Sequence, residues 1–369
     1  MMRKTDEKAG LNARTLAAAA PFCAMAAVTV ADLLVASQQV ELLPLLSLGP
    51  ALAPVPLRPV RTLLTGCLAI GISLLLAGYG GLGFSSHTVV ALVTIAGVTA
   101  AAVAASAARQ GNERELVDVR AVADVAQRVL LRQVPGQVGH VRIATRYISA
   151  AAAARIGGDL YDMVAVRGTA RLIVADVQGK GLPAVQTAAV VLAAFRESAY
   201  DAADLAGIAA HIELSLQRQV PGGRFVTAVV AEITADGADV RLLNCGHPSP
   251  LLLGAGRARL AEPAEAGLPL GLTDLTGAAR KEYAVPFGPG AGMLFYTDGI
   301  SEARDKSGAF YPVEQCGALL SGAADPDAAL DRLYADVLRY TGGHLQDDSA
   351  ALYVVCPAPV TVPPRRPSR

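Results

Sequence analysis

The stretch Arg171-Leu172-Ile173-Val174-Ala175-Asp176-Val177-Gln178-Gly179-Lys180-Gly181 decides the reading of this chain. Arg171–Ala175 is a short, mostly apolar run, the mark of a buried strand. The run ends on an aspartate, and Gly179 and Gly181 then mark a turn. Beyond them Leu182–Tyr200 is alanine-rich and helical, with Pro183 near its start, where proline is tolerated. A carboxylate at the end of a buried strand is costly unless something compensates it. The same design recurs in Ile156-Gly157-Gly158-Asp159 and Thr297-Asp298-Gly299, and a related one in Gln346-Asp347-Asp348-Ser349. One Asp-Gly is ordinarily just a turn. Several in order, within one region, are a signal.

Around that series Leu205–Gln219 and Pro326–Tyr340 read as helices. Phe225–Ile233, Val240–Cys245, Pro250–Leu253, Met293–Thr297 and Ala350–Val355 read as strands. Strands follow one another in the middle with no helix between them. That pattern predicts antiparallel sheets with paired helices, not a doubly wound parallel sheet. Aspartates gathered from several strand ends need cations, and magnesium and manganese prefer carboxylate, carbonyl and water oxygens. Neighbouring glycines let the backbone approach such ions and offer a carbonyl. Two bridged ions can lower the pKa of a water and clamp a phosphoryl group. No histidine pair has a metal-ligand spacing such as HxxxH, which argues against a zinc hydrolase.

Two look-alikes fail on the letters. A phosphate loop needs glycine five residues before its Gly-Lys pair and Ser or Thr after it; those places hold Val174 and Gly181. Gly157-Gly158-Asp159 opens like a diguanylate cyclase signature, but Leu160 and Tyr161 follow where that family continues Glu-Phe.

The remainder of the chain is different in kind. Of 369 residues 53% are hydrophobic and only 17% charged, with no net charge; typical domains carry about 25% charged residues. The balance gives no electrostatic reason to expect nucleic-acid binding. The cysteines Cys23, Cys67, Cys245, Cys316 and Cys356 form no CxxC pair, which excludes a zinc site or disulfide framework and fits a reducing compartment. The excess apolarity lies before residue 109. Thr15–Ala36 is interrupted only by Asp32, Leu42–Leu57 is short and proline-rich, and Thr62–Phe84 and Ser86–Ala108 carry no acidic or basic residue. A membrane-crossing helix needs about 20 apolar residues, so the first, third and fourth qualify by length. Length alone makes the second re-entrant or interfacial. Four spans, the second short, put every basic cluster on one side (Arg3 to Arg14, Arg58 with Arg61, Arg109 with Arg114). Three spans would separate the N-terminus from the large C-terminal region. We expect residues 1–14 to be a cytoplasmic N-terminus and 15–108 a transmembrane region, probed by its later apolar segments against a cleaved signal peptide.

Residues 109–135 form the connector. Leu116, Val119, Val122, Val125 and Val129 recur at helical spacing, and Pro135 and Gly136 end the pattern. The stripe fits either a helix packed on its own domain or a short signalling helix. The Pro-Arg tail, 357–369, reads as disordered.

Five ordered motifs now stand together: Ile156-Gly157-Gly158-Asp159-Leu160-Tyr161-Asp162, Asp176 through Ala184, Asn244-Cys245-Gly246-His247-Pro248, Tyr296-Thr297-Asp298-Gly299 and Asp347-Asp348-Ser349-Ala350. Over residues 140–356 they closely resemble the SpoIIE-type phosphatases, a bacterial branch of the PP2C-like (PPM) serine/threonine phosphatases. The resemblance implies an α+β fold: an α/β/β/α sandwich of two antiparallel sheets flanked by helices, here preceded by an all-α transmembrane region. It implies that Asp176 bridges two Mn²⁺ or Mg²⁺ ions, that the Val177 carbonyl binds one, and that Asp298 and Asp347 bind the other. Asp159 would hold waters of the first ion. Catalytic duty would rest on Asp159, Asp176 and Asp298, with a water attacking phosphorus in line and no phosphoenzyme. The usual partner in the family is a STAS-type anti-anti-sigma phosphoprotein. The helices after Gly181, fed by the connector, would act as a switch, with homodimerisation through that connector. The alternative is a non-catalytic membrane signalling protein that keeps the fold and binds partners. Arg155 is read as a surface or structural arginine, and His247 as structural and not a general acid.

Overall fold

The computed structural model describes residues 3–35, 42–53, 57–79, 85–149, 158–220, 223–234, 237–254, 256–272, 280–321 and 325–358. Arg155, Ile156, Gly157 and the tail from 359 onward lie outside the described residues. The chain divides into two compact units, Met1–Asp118 and Val119–Arg369.

Among its described residues the first unit is helical, with short connections and no strand. It contains α1 (Arg3–Val35), a 3₁₀ turn at Leu43–Ser47 running into α2 (Leu48–Leu52), α3 (Pro59–Tyr79) and the start of α4 (Ser86–Leu130). Met25, Leu43, Leu46 and Ile95 form a small apolar core, but the burial otherwise departs from that of a water-soluble bundle. Thr62, Thr65, Ser73, Thr88, Thr99 and Ser106 are buried, while Leu33, Leu34, Leu64, Leu75 and Val93 are exposed. Small residues inside and large apolar ones outside suit helices packed in lipid. Gly66 shows the closeness, because a Cβ there would meet the Thr99 side chain at 2.2 Å. Two stretches, Pro59–Tyr79 and Ser86–Asn112, are long and apolar enough to cross a membrane. The other two expected spans correspond to shorter apolar helical stretches, Ala18–Leu34 and Leu43–Leu52. Connector and last span form a single helix, since α4 runs unbroken to Leu130. It ends before Gln133, where the Leu130 carbonyl accepts a hydrogen bond from Arg196 Nη2 at 2.9 Å.

The second unit is the expected sandwich. One sheet has the order β1-β2-β11-β10-β7-β8 (Gln137–Val138, Val141–Ile148, Ser349–Val355, Gly292–Tyr296, Leu251–Gly254, Arg257–Leu260). The other has the order β3-β4-β5-β6-β9 (Leu160–Val166, Thr169–Val177, Val226–Ile233, Asp239–Cys245, Tyr283–Pro286). Every pairing between these strands is antiparallel.

The period-2 alternation of each strand divides its residues between two cores. In β4, Ala170, Leu172 and Val174 join Met163, Phe295 and Leu352 between the sheets. Ile173, Ala175 and Val177 face the opposite way, against Phe195, Ile208 and Ile212 of α5 (Leu182–Asp201) and α6 (Leu205–Gln219). On the far side, Tyr296, Ala351 and Tyr353 pack on Leu330, Leu333 and Val337 of α9 (Pro326–Tyr340), with the short helices α7 (Asp298–Ser301) and α8 (Gly317–Leu320) beside it. Helices thus cover both outer faces. Asp204 caps α6 by accepting from the Gly207 N–H at 2.7 Å.

Candidate active site

The aspartates meet where the two sheets adjoin. The β3–β4 register pairs Leu160 with Ala175 and so sets Asp159 opposite Asp176. The β10–β11 ladder pairs Tyr296 with Ala351, and the Thr297 N–H to Ala350 carbonyl bond extends it to the turns holding Asp298 and Asp347. One sheet therefore supplies Asp159 and Asp176, the other Asp298 and Asp347. Carboxylate oxygens of Asp159, Asp176 and Asp298 lie within 4.8 Å of one another.

The glycines of the motifs have a steric reason. A Cβ on Gly158 would sit 2.4 Å from the Val177 carbonyl oxygen, and one on Gly299 would sit 1.9 Å from that of Asp348. Neither position admits a side chain without moving a strand.

Asp159 is buried and its Oδ2 accepts from the Thr297 hydroxyl at 2.6 Å. The same hydroxyl oxygen accepts from the Ala350 N–H at 2.9 Å, so Thr297 clasps the two sheets at the site. Burial, then the charge of Asp176, hold the Asp159 carboxyl well above the usual carboxylate range. Burial, then Asp298, push Asp176 up to about 7. Asp298 is raised by burial and by Asp347. Carboxylates crowded and desolvated in this way are stabilised by a cation, and an all-oxygen donor set suits a hard divalent ion. The residues fit the metal that the motifs imply.

Asp347 is placed differently from the other three. Both its oxygens accept from Lys180 Nζ at 2.7 Å. Its neighbour Asp348 is buried and accepts from Tyr147 Oη at 2.8 Å and Ser149 Oγ at 3.1 Å. The double aspartate thus splits into one half-exposed carboxylate facing the site and one buried anchor.

His247 is buried with both ring nitrogens engaged, which fits a structural residue. Its Nε2 donates to the Tyr296 carbonyl at 3.1 Å, which leaves Nδ1 to accept from Thr227 Oγ1 at 3.0 Å. It ties β5 to β10, and burial lowers its pKa from 6.5 to about 4. The Asn244 side chain closes the preceding turn through the His247 N–H and carbonyl, at 2.9 and 2.8 Å.

Several supporting residues had little signal in the sequence. Gln127 of α4 is buried and donates to Tyr147 Oη at 2.7 Å and to the Asp159 carbonyl at 3.3 Å. Asp162 accepts from Arg196 of α5, which also holds the end of α4. The connector stripe does not pack as a whole on the domain, because Val125 and Val129 are exposed while Gln127 faces inward. A polar residue between apolar ones at helical spacing was the available clue.

Two antiparallel sheets under paired helices, with carboxylates gathered where the sheets adjoin, make this a PP2C-type domain of the PPM protein phosphatases. A family model for Stage II sporulation protein E (SpoIIE) matches residues 167–356, more than half of the chain, which belongs to that family. Among solved structures, the PP2C domain of SiaA from Pseudomonas aeruginosa shares the fold at 18% identity and a TM-score of 0.54, over 66% of this chain and 97% of that one. The RsbU and RsbW domains of Rv1364c from Mycobacterium tuberculosis match at 29% identity and a TM-score of 0.49, over 60% and 62%. The PP2C domain and regulatory fragment of SpoIIE from Bacillus subtilis match at 18% and 0.49, over 59% and 64%. The chain thus spans less than two thirds of the length of the last two.

Proposed function

We propose that this chain is a membrane-anchored, metal-dependent phosphatase acting on phosphoserine or phosphothreonine of a regulatory protein. The observation that carries this reading is the convergence of Asp159, Asp176 and Asp298 from two sheets within 4.8 Å, in a SpoIIE-family domain. Asp176, Asp298, Asp347 and the Val177 carbonyl would hold two Mn²⁺ or Mg²⁺ ions, with Asp159 acting through waters. When bound, the ions supply an acidified water and positive charge for the phosphoryl oxygens. The chain's own part is orientation: Thr297 fixes Asp159, and Gly158 leaves the Val177 carbonyl uncovered.

The family resemblance supports a STAS-type anti-anti-sigma protein as substrate. The buried polar and exposed apolar residues of α3 and α4 support a membrane anchor, and the placement of the basic residues supports four spans, with residues 140–356 on the cytoplasmic side. The exposed Val125 and Val129, four apart on α4, support pairing of two connectors in a homodimer. Gln127 and Arg196 give that helix contacts by which it would influence Asp159 and α5.

The test uses the full chain in detergent with p-nitrophenyl phosphate. Turnover should require Mn²⁺ or Mg²⁺ and stop on chelation. No metal-dependent turnover, with this compound and with phosphoserine proteins from the same cell, would sink the reading and favour a non-catalytic binding role.

A further inference from the structure

We propose that Lys180 is the residue that binds the substrate phosphoryl group, and that it is held in reserve by Asp347 until the metals arrive. The inference rests on the phosphatase reading above. The cleft beside the site, about 340 Å³, is lined by Asp298, Glu302 and Asp347 against one guanidinium, Arg304. That guanidinium is stacked on the Phe310 ring at 4.4 Å. A phosphate dianion approaching such a lining is repelled. Two dications would only neutralise the four aspartates, so attraction needs a further positive charge inside the site. Among the described residues, the cation in contact with these aspartates is Lys180.

Its present bond is suited to exchange. The side chains of Lys180 and Asp347 are 35% and 41% exposed, and a pair so open to water contributes little. Once Asp347 turns to a metal ion, the ammonium would lose its partner but stay in the turn that directly follows Asp176 and β4. A lysine is a flexible point charge with three donors, suited to a phosphate that changes geometry during reaction. Lys180 is bonded to Asp347 and sits four residues beyond Asp176, and its charge opposes the upward pKa shifts of Asp176 and Asp298.

The test compares the full chain with Lys180→Met and Lys180→Arg, in detergent and saturating Mn²⁺. Loss of a charge-assisted hydrogen bond should raise KM for p-nitrophenyl phosphate, and the inhibition constant of inorganic phosphate, by on the order of tenfold. KM should rise more than kcat falls, and Lys180→Arg should recover most of the loss. Without phosphate, Lys180→Met should bind Mn²⁺ at least as tightly as the wild type, read from the free-ion electron paramagnetic resonance signal. An unchanged phosphate inhibition constant overturns the proposal and leaves Lys180 a mere competitor for Asp347; so does a fall in kcat with KM fixed. If the wild type fails to turn over, calorimetric titration of inorganic phosphate into the Mn²⁺-loaded proteins still decides the matter. Weaker binding to Lys180→Met then upholds the phosphate site while the phosphatase reading fails; equal binding rejects both.

Discussion

The two sheets hold their aspartates in opposite ways. The sheet of β3 and β4 builds Asp159 and Asp176 into its strand register, one buried and one half-buried, with the Thr297 hydroxyl on the first. The sheet of β10 and β11 offers Asp298 from the start of α7, half-buried like Asp176, and Asp347 from the turn before β11, where water and Lys180 reach it. Asp159 is held by a buried hydroxyl, whereas Asp347 is held by a water-exposed ammonium that another ligand can replace. A metal-dependent site benefits from both: a buried, bonded carboxylate to set where a cation goes, and an exposed one open to water and phosphate.

The most damaging way to break the first side is Asp176→Asn. On the proposed reading Asp176 would hold the metals, which supply several kcal/mol of charge stabilisation, so kcat/KM should fall on the order of a thousandfold. Steady-state hydrolysis of p-nitrophenyl phosphate measures it, and activity near wild type would remove Asp176 from the site.

The join between the sheets should show in stability. The folded-state pKa of His247, about 4, lies below its ordinary 6.5, so protonation favours unfolding. Its contribution is whole above pH 6.5 and is lost as pH falls towards 4, amounting to roughly 3 kcal/mol. The raised carboxyls of Asp159, Asp176 and Asp298 act in the opposite sense over the same range, so the measure is the difference: urea unfolding followed by tyrosine emission, the chain having no tryptophan, should show the wild type losing more stability than His247→Gln as pH falls from 6.5 towards 4. Equal slopes would mean that the imidazole is not buried neutral.

A subtler change is Thr297→Val, which keeps the shape and removes the hydroxyl that holds Asp159. Loss of such a supporting bond should weaken Mn²⁺ binding roughly tenfold to a hundredfold, measured by calorimetry. The smallest effect is expected on the outer face of the first sheet. Arg146 bonds Asp327 and Asp331 at 2.7 and 2.8 Å, but it is 32% exposed and both aspartates are more than half exposed. Arg146→Ala should cost less than about 1 kcal/mol in the same unfolding experiment; a larger loss would show α9 to depend on that arginine.

The legible parts of the sandwich are those where local pattern and burial agree. Leu205–Gln219 and Pro326–Tyr340 read as helices with those very ends, and β5, β6 and β10 within a residue or so. The strands that escape are instructive. β1, β8 and β9 are edge strands of two to four residues, and β8 carries two arginines while β9 ends on Pro286. Edges are kept short, charged or proline-bearing, which blurs their signal. β3 has Asp162 in its middle, which breaks the apolar run; the Met163 N–H and Arg196, thirty-four residues away, make it tolerable there.

The sequence by itself determined the order of the motifs, the kind of ligand atoms and the contrast between an apolar N-terminal part and a mixed C-terminal one. These follow from residue type and spacing, which need no knowledge of what lies opposite. Only the tertiary structure decided which aspartates meet. Asp159 faces Asp176 because of strand register, Asp347 faces Lys180 across 167 residues, and Asp348 turns inward to Tyr147. Burial and long-range pairing set their charges, and neither is written in the neighbouring letters.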